Sequence, residues 1–429
     1  MKLFERLFKH ITLAFLLCFF APSTASSPNN EPTLQADSIE ISLLTCGPRQ
    51  QVYSMYGHTA IRFQDKQSGR DIAINYGVFS FDKPFFVLRF VFGLTDYEMG
   101  IAPFDIFEWE YGPTGCGVRQ QVLNLTAQEK MAIAQAVDRN MEPQNRVYRY
   151  NFFYDNCTTR ARDIIANNLN GRIVYDSSTP QHLNTSTPQH HNTPAQYPTF
   201  RNLIHNYNET HRWARFGNDL LLGVKADYNT TFEQQQFLPE RLCADFERAH
   251  IISADGTKRN LVSSSFWLFE PTTKQQSIQQ TNMSILDVFS PLVTFSILSI
   301  LTLIIAIVEY RRKRIIWVFD TSIMLTTGAC GLLLFAMIFS QHPTVSLNLQ
   351  ILLLNPINIF MLYSVTKAAR QNRIHWWTKA WSALILLLLA GSFLQSYAEG
   401  ITIVALSLLL RNISNIYTFK NTGSKQPEA

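Results

Sequence analysis

The chain has 429 residues, a formal net charge of +5 and 46% hydrophobic residues. This length is enough for two domains of ordinary size. The hydrophobic residues are unevenly spread, because a mixed sequence up to about residue 284 gives way to long apolar runs broken by short basic clusters. Basic residues that flank apolar runs indicate membrane topology, and they argue against a nucleic-acid-binding protein.

The N-terminus has the pattern of a secretory signal peptide. Lys2, Arg6 and Lys9 precede an apolar run over residues 11–20, and residues 23–25 are small enough for a cleavage site. An uncleaved N-terminal anchor is the alternative, and both place the next segment outside the cytoplasm. We therefore expect a signal peptide over residues 1–25, a polar leader over residues 26–38 and an exported domain over residues 39–262.

The exported domain begins with strand patterns. Residues 39–45 predict a strand, and two β-prone runs around a polar turn that contains Gly69 predict a hairpin. Pairing the strands around that turn places Asn75 opposite Ala60 and makes it a diagonal neighbour of His58 on the same face. A slip of one residue would move Asn75 to the other face of the sheet.

Two helices of the exported domain have clear start signals. Thr126 and Glu129, three residues apart, predict a capping box at the start of the first helix. A second helix is predicted over residues 157–169, with Asp155 or Asn156 as its N-cap.

A segment over residues 177–198 is rich in Thr, Pro, Gln and His, and it predicts a mobile insertion without a core. Its histidines His182, His190 and His191 suggest a metal site at first sight. No carboxylate or cysteine lies among them, so we interpret the segment as a solvated loop and predict no metal site.

The C-terminal part predicts an α-helical membrane domain over residues 286–420, after a linker over residues 263–285 and before a tail over residues 421–429. About five spans are expected, at residues 291–308, 316–339, 349–365, 381–394 and 401–410. Basic clusters after the first and third spans place those loops in the cytoplasm and the first domain outside. The fifth span is short and Arg411 interrupts it, so an interfacial segment with an outside C-terminus is the alternative.

Cys157 opens the second predicted helix, where a thiol ionises readily because unpaired N–H groups and the helix dipole stabilise the thiolate. A cysteine nucleophile also needs a base. His58 on its predicted strand is the candidate base. His205, His211 and His250 lie in polar segments that are predicted to be helical, and we expect them at the surface. The residues alone leave a disulfide or a buried thiol open for Cys157, and a hydrogen-bonded strand histidine open for His58.

Export also decides how the cysteines are interpreted. Cys46, Cys116, Cys157 and Cys243 would lie in an oxidising space, where four cysteines permit two disulfides. If Cys157 is a nucleophile, at most one pair forms. Cys46 could then pair with Cys116 or Cys243, and the sequence does not choose between them.

The order of these groups resembles a known arrangement. A histidine on an early strand followed by a cysteine that opens a later helix is the permuted order of papain-like enzymes, as in the lecithin:retinol acyltransferase and NlpC-like groups. Longer motifs resemble the Lnb-type lipoprotein N-acyltransferases of bacterial envelopes: "LLTCGP", "YSMYGHTAIR", "INYGVFSF", "YRYNFFYDNCTTRARD", "DLLLGVKAD" and, in the membrane part, "HPTVSLNLQILLLNPINIF". The insertion and Cys116 depart from the family pattern.

The resemblance implies an α+β, permuted papain-like exported domain followed by an α-helical membrane domain of about five spans.

This resemblance implies acyl transfer at the bacterial inner membrane, with the catalytic domain in the periplasm. Cys157 would attack an ester of a phospholipid and form a thioester, His58 would move the protons, and Asn75 would orient His58. The acceptor would be the N-terminal amine of a diacylglyceryl-cysteine lipoprotein. No metal, organic cofactor or nucleic acid is implied.

Further residues receive candidate roles from the resemblance. Those near the cysteine are candidates for stabilising an oxyanion, orienting the site or binding substrate: Tyr154, Asp155, Asn156 and Arg160. Tyr154 would act beside the backbone N–H of Cys157, and Arg160 would hold a lipid phosphate unless it belongs to a solvated helix face. Polar residues near membrane depth either serve the substrate or hydrogen-bond between helices: His342, Asn348 and Asn355.

Three other functions fit the same residues. A peptidoglycan amidase or endopeptidase would use the same Cys–His dyad, but it would need no membrane domain. A membrane phospholipase or thioesterase would use water as the acceptor, and acceptor choice depends on water exclusion. A non-enzymatic envelope protein would hold Cys157 in a disulfide.

Overall fold

The structure, a computed structural model, describes residues 36–49, 51, 54–79, 84–176, 197–272 and 289–419. The predicted signal peptide lies outside these residues, as do most of the predicted leader, insertion and linker and all of the predicted tail. Within the described part, a sheet-rich domain precedes a domain of apolar helices. This confirms the predicted α+β domain followed by a helical membrane domain.

Seven strands of the described residues form the main sheet: β1 Ile39–Cys46, β2 His58–Asp65, β3 Arg70–Val78, β4 Asp96–Pro103, β5 Val118–Leu123, β6 Val147–Arg149 and β10 Val262–Phe269. Neighbouring strands run antiparallel in the order β10-β5-β1-β2-β3-β4-β6. A smaller antiparallel sheet contains β7 Arg172–Val174, β8 His250–Ile252 and β9 Lys258–Asn260. His250 therefore begins a strand, and its predicted helical position is wrong.

The hairpin of β2 and β3 has the predicted register. Gly69 in its turn takes a φ of +72°, in the left-handed region that glycine occupies without steric cost. Ala60 pairs with Asn75. Since side chains alternate along a strand, His58 and Asn75 lie on the same face of the sheet, as expected.

Eight α-helices are described in the exported domain: α1 Phe86–Val91, α2 Phe104–Tyr111, α3 Ala127–Met141, α4 Pro143–Arg146, α5 Cys157–Ala166, α6 Phe200–His205, α7 Arg212–Leu221 and α8 Pro239–Arg248. α3 starts with the predicted capping box of Thr126 and Glu129. The main core packs apolar residues of α3, α5 and α8 against the sheet, among them Ile133, Ile165 and Phe246. The helix predicted over residues 157–169 starts as expected and ends three residues early.

The C-terminal domain contains five α-helices among the described residues: α9 Pro291–Arg312, α10 Trp317–Ile338, α11 Ile357–Arg370, α12 Trp376–Gly391 and α13 Ile401–Phe419. Four segments of the described chain are long and apolar enough to cross a membrane, namely α9, α10, Leu349–Arg370 and α13, and α12 is a shorter apolar helix. Each of the five predicted spans therefore has a helical counterpart.

The third span is a broken helix. A 3-10 turn at Leu349–Leu352 precedes α11, and the two are separated at residues 353–356. Pro356 has no N–H to donate to a continuous helix. Non-helical backbone at this depth needs polar partners from the protein, and the Asn355 side chain supplies one by accepting from the Ile357 N–H at 3.0 Å.

The last helix corrects the sequence analysis. α13 has 19 residues and continues through Arg411, so the prediction of a short, interrupted span is wrong. Its start adjoins Ala398, whose N–H donates to the Gln350 side chain at 3.0 Å. Its end, Phe419, packs with Ile315, which directly follows the cytoplasmic basic cluster. α13 therefore reaches from the outer loops to the inner loops, and the interfacial alternative is also wrong.

Arg411 stays helical because the helices around it supply its partners. Its guanidinium donates to Glu309 on α9 at 2.7 and 3.0 Å and to Asp320 on α10 at 2.6 Å. Asn415 donates to the same Glu309 carboxylate at 2.9 Å. A charge at membrane depth is tolerated when it is paired and hydrogen-bonded, so this cluster ties α13 to the inner ends of α9 and α10.

We expect Arg411→Leu to lower the free energy of unfolding by about 3 kcal/mol, because it leaves the buried Glu309 carboxylate without its cation. Tyr417→Leu, at a position 82% exposed on the same helix, is the matched control and should change stability little. Thermal unfolding of both variants in detergent checks this. Equal midpoints for the two variants would contradict the assigned role of Arg411.

The exported domain is fixed to the outer loops of the membrane helices by backbone hydrogen bonds. The Gly223 N–H donates to the Thr344 carbonyl and the Val224 N–H to the Leu347 carbonyl, both at 2.8 Å. A Cβ atom at residue 223 would lie 2.1 Å from the Leu347 carbonyl oxygen, so only glycine allows this approach. These contacts fix the position of the exported domain relative to the membrane helices.

Candidate active site

The site is built around the first residue of α5. Cys157 is that residue, and Asn156 is the N-cap, whose side chain accepts from the N–H groups of Thr158 and Thr159, both at 2.9 Å. The amide of Asn156 also donates to the Phe237 carbonyl at 2.9 Å. The cap thus holds the helix start in place, and its hydrogen bonds do not involve the N–H of Cys157.

His58 faces this helix start from the first position of β2. Its Nε2 lies 2.9 Å from the Asn75 side-chain oxygen. An amide oxygen only accepts, so Nε2 carries the hydrogen and Nδ1 is left to accept a proton. The hydroxyls of Thr59 and Thr158 lie 3.1 Å apart and join β2 to α5 beside the pair.

Gly77 makes room for the cysteine and the histidine. A Cβ atom there would lie 3.1 Å from His58 Cε1, 3.6 Å from Nδ1 and 3.8 Å from Cys157 Cβ. The Nδ1 edge of the imidazole and the cysteine side chain therefore meet next to this glycine. Gly77 lies within the motif "INYGVFSF", but the sequence alone gives it no role, because its importance depends on the approach of α5.

His58 and Cys157 shift each other's pKa. Burial alone raises the pKa of Cys157, but the charge and hydrogen bond of His58, with the Thr59 N–H, lower it from the ordinary 9.0 to about 7. Burial likewise lowers the pKa of His58, but the Cys157 thiolate and the hydrogen bond to Asn75 raise it above the ordinary value. A substantial fraction of thiolate–imidazolium pairs is therefore present near neutral pH, as a cysteine nucleophile requires.

The pair opens into a cavity of about 270 Å³. One wall is aromatic, because Tyr97 stacks on Phe79 at 4.7 Å and on Tyr150 at 4.0 Å between ring centroids. Burial raises the pKa of Tyr97 to about 12 and holds the pKa of Tyr150 well above its usual range, so both phenols stay neutral donors. The charged pair of Arg49 and Glu110, 3.6 Å apart, lines the same cavity.

Tyr154, the predicted oxyanion donor, lies outside the cavity around Cys157. Its side chain is 41% exposed and packs on Phe200, with ring centroids 5.4 Å apart. The reason is a tight turn in which the Asn151 N–H donates to the Asp155 carbonyl at 2.9 Å. The turn directs Tyr150 into the cavity instead. The oxyanion role predicted for Tyr154 is therefore not supported by its position.

Asp155 and Arg160 bind each other. The guanidinium donates to the carboxylate at 2.7 and 2.8 Å and stacks over the Tyr148 ring at 3.7 Å. Asp155 is therefore not the N-cap, a role taken by Asn156. Arg160 is committed to this pair and lines a different surface depression, whereas Arg49, in its longer 3.6 Å pair with Glu110, lines the cavity around Cys157.

Two of the polar residues predicted near membrane depth, Asn348 and His342, lie at the joint between the domains. Asn348 donates to the Leu220 carbonyl at 2.8 Å and accepts from Gln395 at 2.9 Å. Asn355 lies in the broken third span, where its side chain accepts from the Ile357 N–H, as described above. His342 lies beside α1, with its ring centroid 6.2 Å from that of Phe90. Hydrogen bonding accounts for both asparagines, and the substrate role of His342 stays a prediction.

No disulfide forms among the described cysteines, although the sequence permitted one. The cysteines among the described residues all carry free thiols: Cys46, Cys116, Cys157, Cys243 and Cys330. Burial raises the pKa of Cys46 and of Cys243, which makes these thiols poor nucleophiles. Cys157 therefore differs from them in having a base beside it. Among the described residues, no cluster of histidine, cysteine and carboxylate side chains could hold a metal ion.

An exported domain that carries a cysteine–histidine pair and is fixed to membrane helices defines a membrane protein with its site outside the cytoplasm. Residues 27–203 match the family model of the Lnb N-terminal periplasmic domain, and residues 280–422 match that of the Lnb transmembrane domain. The chain belongs to the Lnb family, which confirms the resemblance, and its N-terminal domain is periplasmic. No curated protein and no solved structure matches it.

We expect alkylation of Cys157 by iodoacetamide to follow an apparent pKa near 7 in the intact protein. In His58→Ala the pKa should rise above 9.0, because burial then acts without the imidazole. Mass spectrometry of the Cys157 peptide across the neutral and alkaline range checks this. Cys46 and Cys243 are internal controls that should stay unmodified in the folded protein. Identical profiles with and without His58 would contradict the coupling.

Gly77→Ala should slow alkylation of Cys157 at neutral pH at least about threefold, because the added methyl group displaces the imidazole and reduces the thiolate fraction. Gly217→Ala is the matched control, since a Cβ atom at that helical glycine meets nothing within 4 Å. Circular dichroism establishes that both variants fold. Equal alkylation rates in the two variants would mean that Gly77 does not position His58.

Proposed function

We propose that the protein is a lipoprotein N-acyltransferase of the bacterial inner membrane. It moves an acyl chain from a phospholipid, through a thioester on Cys157, to the N-terminal amine of a diacylglyceryl-cysteine lipoprotein. The observation that carries the proposal is the Cys157–His58–Asn75 arrangement on a domain that is hydrogen-bonded to the outer loops of membrane helices. Membership of the Lnb family supports it.

In the first half-reaction, the Cys157 thiolate attacks the ester carbonyl carbon of the phospholipid. The C–O bond to the glycerol oxygen then breaks, and the imidazolium of His58 protonates that oxygen, so a lysophospholipid leaves. The oxyanion needs donors at hydrogen-bond distance. The backbone N–H of Cys157 and the neutral phenols of Tyr97 and Tyr150 are the candidates on this cavity.

In the second half-reaction, the lipoprotein amine attacks the thioester carbonyl carbon. His58 accepts a proton from the amine, the C–S bond breaks, and Cys157 leaves as a thiolate beside the regenerated imidazolium. The product is an amide. Water competes with the amine for the same thioester, so the aromatic wall of Phe79, Tyr97 and Tyr150 has a role in limiting water at the sulfur.

The joint with the membrane domain favours lipid substrates over cell-wall peptides. Segment 219–224 of the exported domain is held by outer-loop residues, for example by the Gln350 amide, which donates to the Asp219 carbonyl at 2.9 Å. A hydrolase of cell-wall peptides gains nothing from being held at the bilayer surface. Arg49 lines the cavity in a 3.6 Å pair with Glu110, and the phosphate of a phospholipid donor would compete with that carboxylate for the guanidinium.

The test uses a bacterium depleted of its own lipoprotein N-acyltransferase. We expect the wild-type chain to add an amide-linked acyl chain to a lipoprotein, and Cys157→Ala and His58→Ala to lose it by a factor of at least about 100. Mass spectrometry of the N-terminal lipopeptide is the measurement. Cys330→Ala, the same substitution at a half-buried cysteine in α10, is the matched control and should acylate normally.

Two outcomes would overturn the proposal. If both site variants still acylate the lipoprotein, the cysteine–histidine pair is not the catalyst. If a well-expressed wild type leaves the amine free, the acceptor is a different molecule. Release of fatty acid from phospholipid would then identify a phospholipase, and cleavage of cell-wall peptides an amidase or endopeptidase.

A further inference from the structure

An apolar surface of the exported domain lies at the outer end of a membrane helix. Phe85, Leu88 and Phe90, which we call the α1 surface, are 78%, 55% and 45% exposed. Phe85 also takes a φ of +57°, in the left-handed region that bulky residues rarely adopt. Neighbouring exposed apolar side chains on a folded domain indicate a partner.

The α1 surface continues the lipid-facing surface of α10. The Phe92 carbonyl, one residue after α1, accepts from the Gln341 N–H at 3.0 Å. Gln341 lies three residues beyond the end of α10, whose last turns expose further apolar side chains: Phe335, Ile338 and Phe339. Because α10 runs from the cytoplasmic side outwards, α1 lies at the outer end of this membrane helix.

Charged groups next to α1 suit the headgroup region. Arg89 lies 3.1 Å from Asp96, and Arg149 lies 2.7 Å from the same carboxylate. Arg149 also donates to the Gln341 side chain at 3.0 Å. Two guanidinium groups and one carboxylate leave a net positive charge at the outer end of α10, where phospholipid phosphates are found.

The chain on either side of α1 contributes to the cavity around Cys157. Asp96, the partner of Arg89, is followed by Tyr97, which belongs to the aromatic wall of the cavity around Cys157. Phe79 on the other side of α1 in the chain stacks on Tyr97. The α1 surface thus provides apolar side chains next to α10, and the flanking residues Phe79 and Tyr97 provide aromatic side chains in the cavity.

We propose that the α1 surface inserts into the outer leaflet and directs the acyl chain of the donor phospholipid towards Cys157. Insertion depends only on the surface itself, and delivery rests on the proposed acyltransferase function. The occupant is lipid, because the surface is continuous with a membrane-spanning helix and is flanked by cations. A second copy of the chain would not require contact with acyl chains. The diacylglyceryl acceptor does carry acyl chains, but it takes no part in acyl-enzyme formation, which is the step that the delivery test measures.

Insertion is tested with the full chain in nanodiscs of phosphatidylethanolamine and phosphatidylglycerol. Leu88→Cys in a Cys157→Ala chain carries an environment-sensitive NBD label, and Gln67→Cys, in the exposed turn between β2 and β3, is the control. The Cys157→Ala chain alone gives the background labelling. We expect blue-shifted emission and quenching by doxyl-labelled lipid for Leu88→Cys only. Equal emission and quenching at both positions would overturn insertion.

Delivery is tested by the rate of acyl-enzyme formation from bilayer phospholipid divided by the rate from a soluble short-chain ester. We expect this ratio to fall about tenfold in Leu88→Ser/Phe90→Ser and to stay unchanged in Phe266→Ser. Phe266 is an exposed aromatic residue on β10 at the opposite edge of the sheet, so its substitution matches the loss of apolar surface.

The outcomes separate the two proposals. An unchanged ratio in the double variant overturns delivery while the acyltransferase function stands. If the wild type forms no acyl-enzyme from either donor, the acyltransferase function fails and delivery fails with it. Insertion is then judged on the label alone.

Discussion

The packing of α5 against the hairpin of β2 and β3 is the constraint on which the site depends. Three local conditions meet there: Asn156 ends the preceding turn and caps the helix, the strand register brings Asn75 to His58, and Gly77 leaves space for both reacting side chains. None of these works alone. A slip in register would turn Asn75 to the other face, and an uncapped helix would let the thiol move away from the imidazole.

The second constraint is the joint between the domains, which sets where that site lies relative to lipid. Backbone hydrogen bonds at Gly223 and Val224, together with the amides of Asn348, Gln350 and Gln395, replace the water that an exposed loop would otherwise bind. Arg201, buried behind the joint, pairs with Asp219 and Asp227 at 2.8 Å each and stiffens the segment from the inside. The exported domain is therefore held at a fixed distance from the bilayer.

Local sequence rules predicted the parts of the structure that depend on local physics. The hairpin register, the capping box of α3 and the position of Cys157 at a helix start follow from turn, pairing and capping preferences of adjacent residues. The cavity did not follow, because Tyr97 and Tyr150 are brought together by packing, and the turn after Asn151 decides which tyrosine faces the thiol. The length of α13 was missed for a similar reason, since the partners of Arg411 lie on α9 and α10, far away in the chain.

The joint at Gly223 also bears on how the protein is made. The exported domain is synthesised and translocated before the loops that contain Thr344, Leu347 and Gln395. Yet those loops supply the acceptors and donors for its segment 219–224. The domain that appears first during biosynthesis therefore completes its own backbone hydrogen bonding last, once the membrane helices have been inserted. Maturation of the periplasmic domain and membrane integration are parts of one folding reaction.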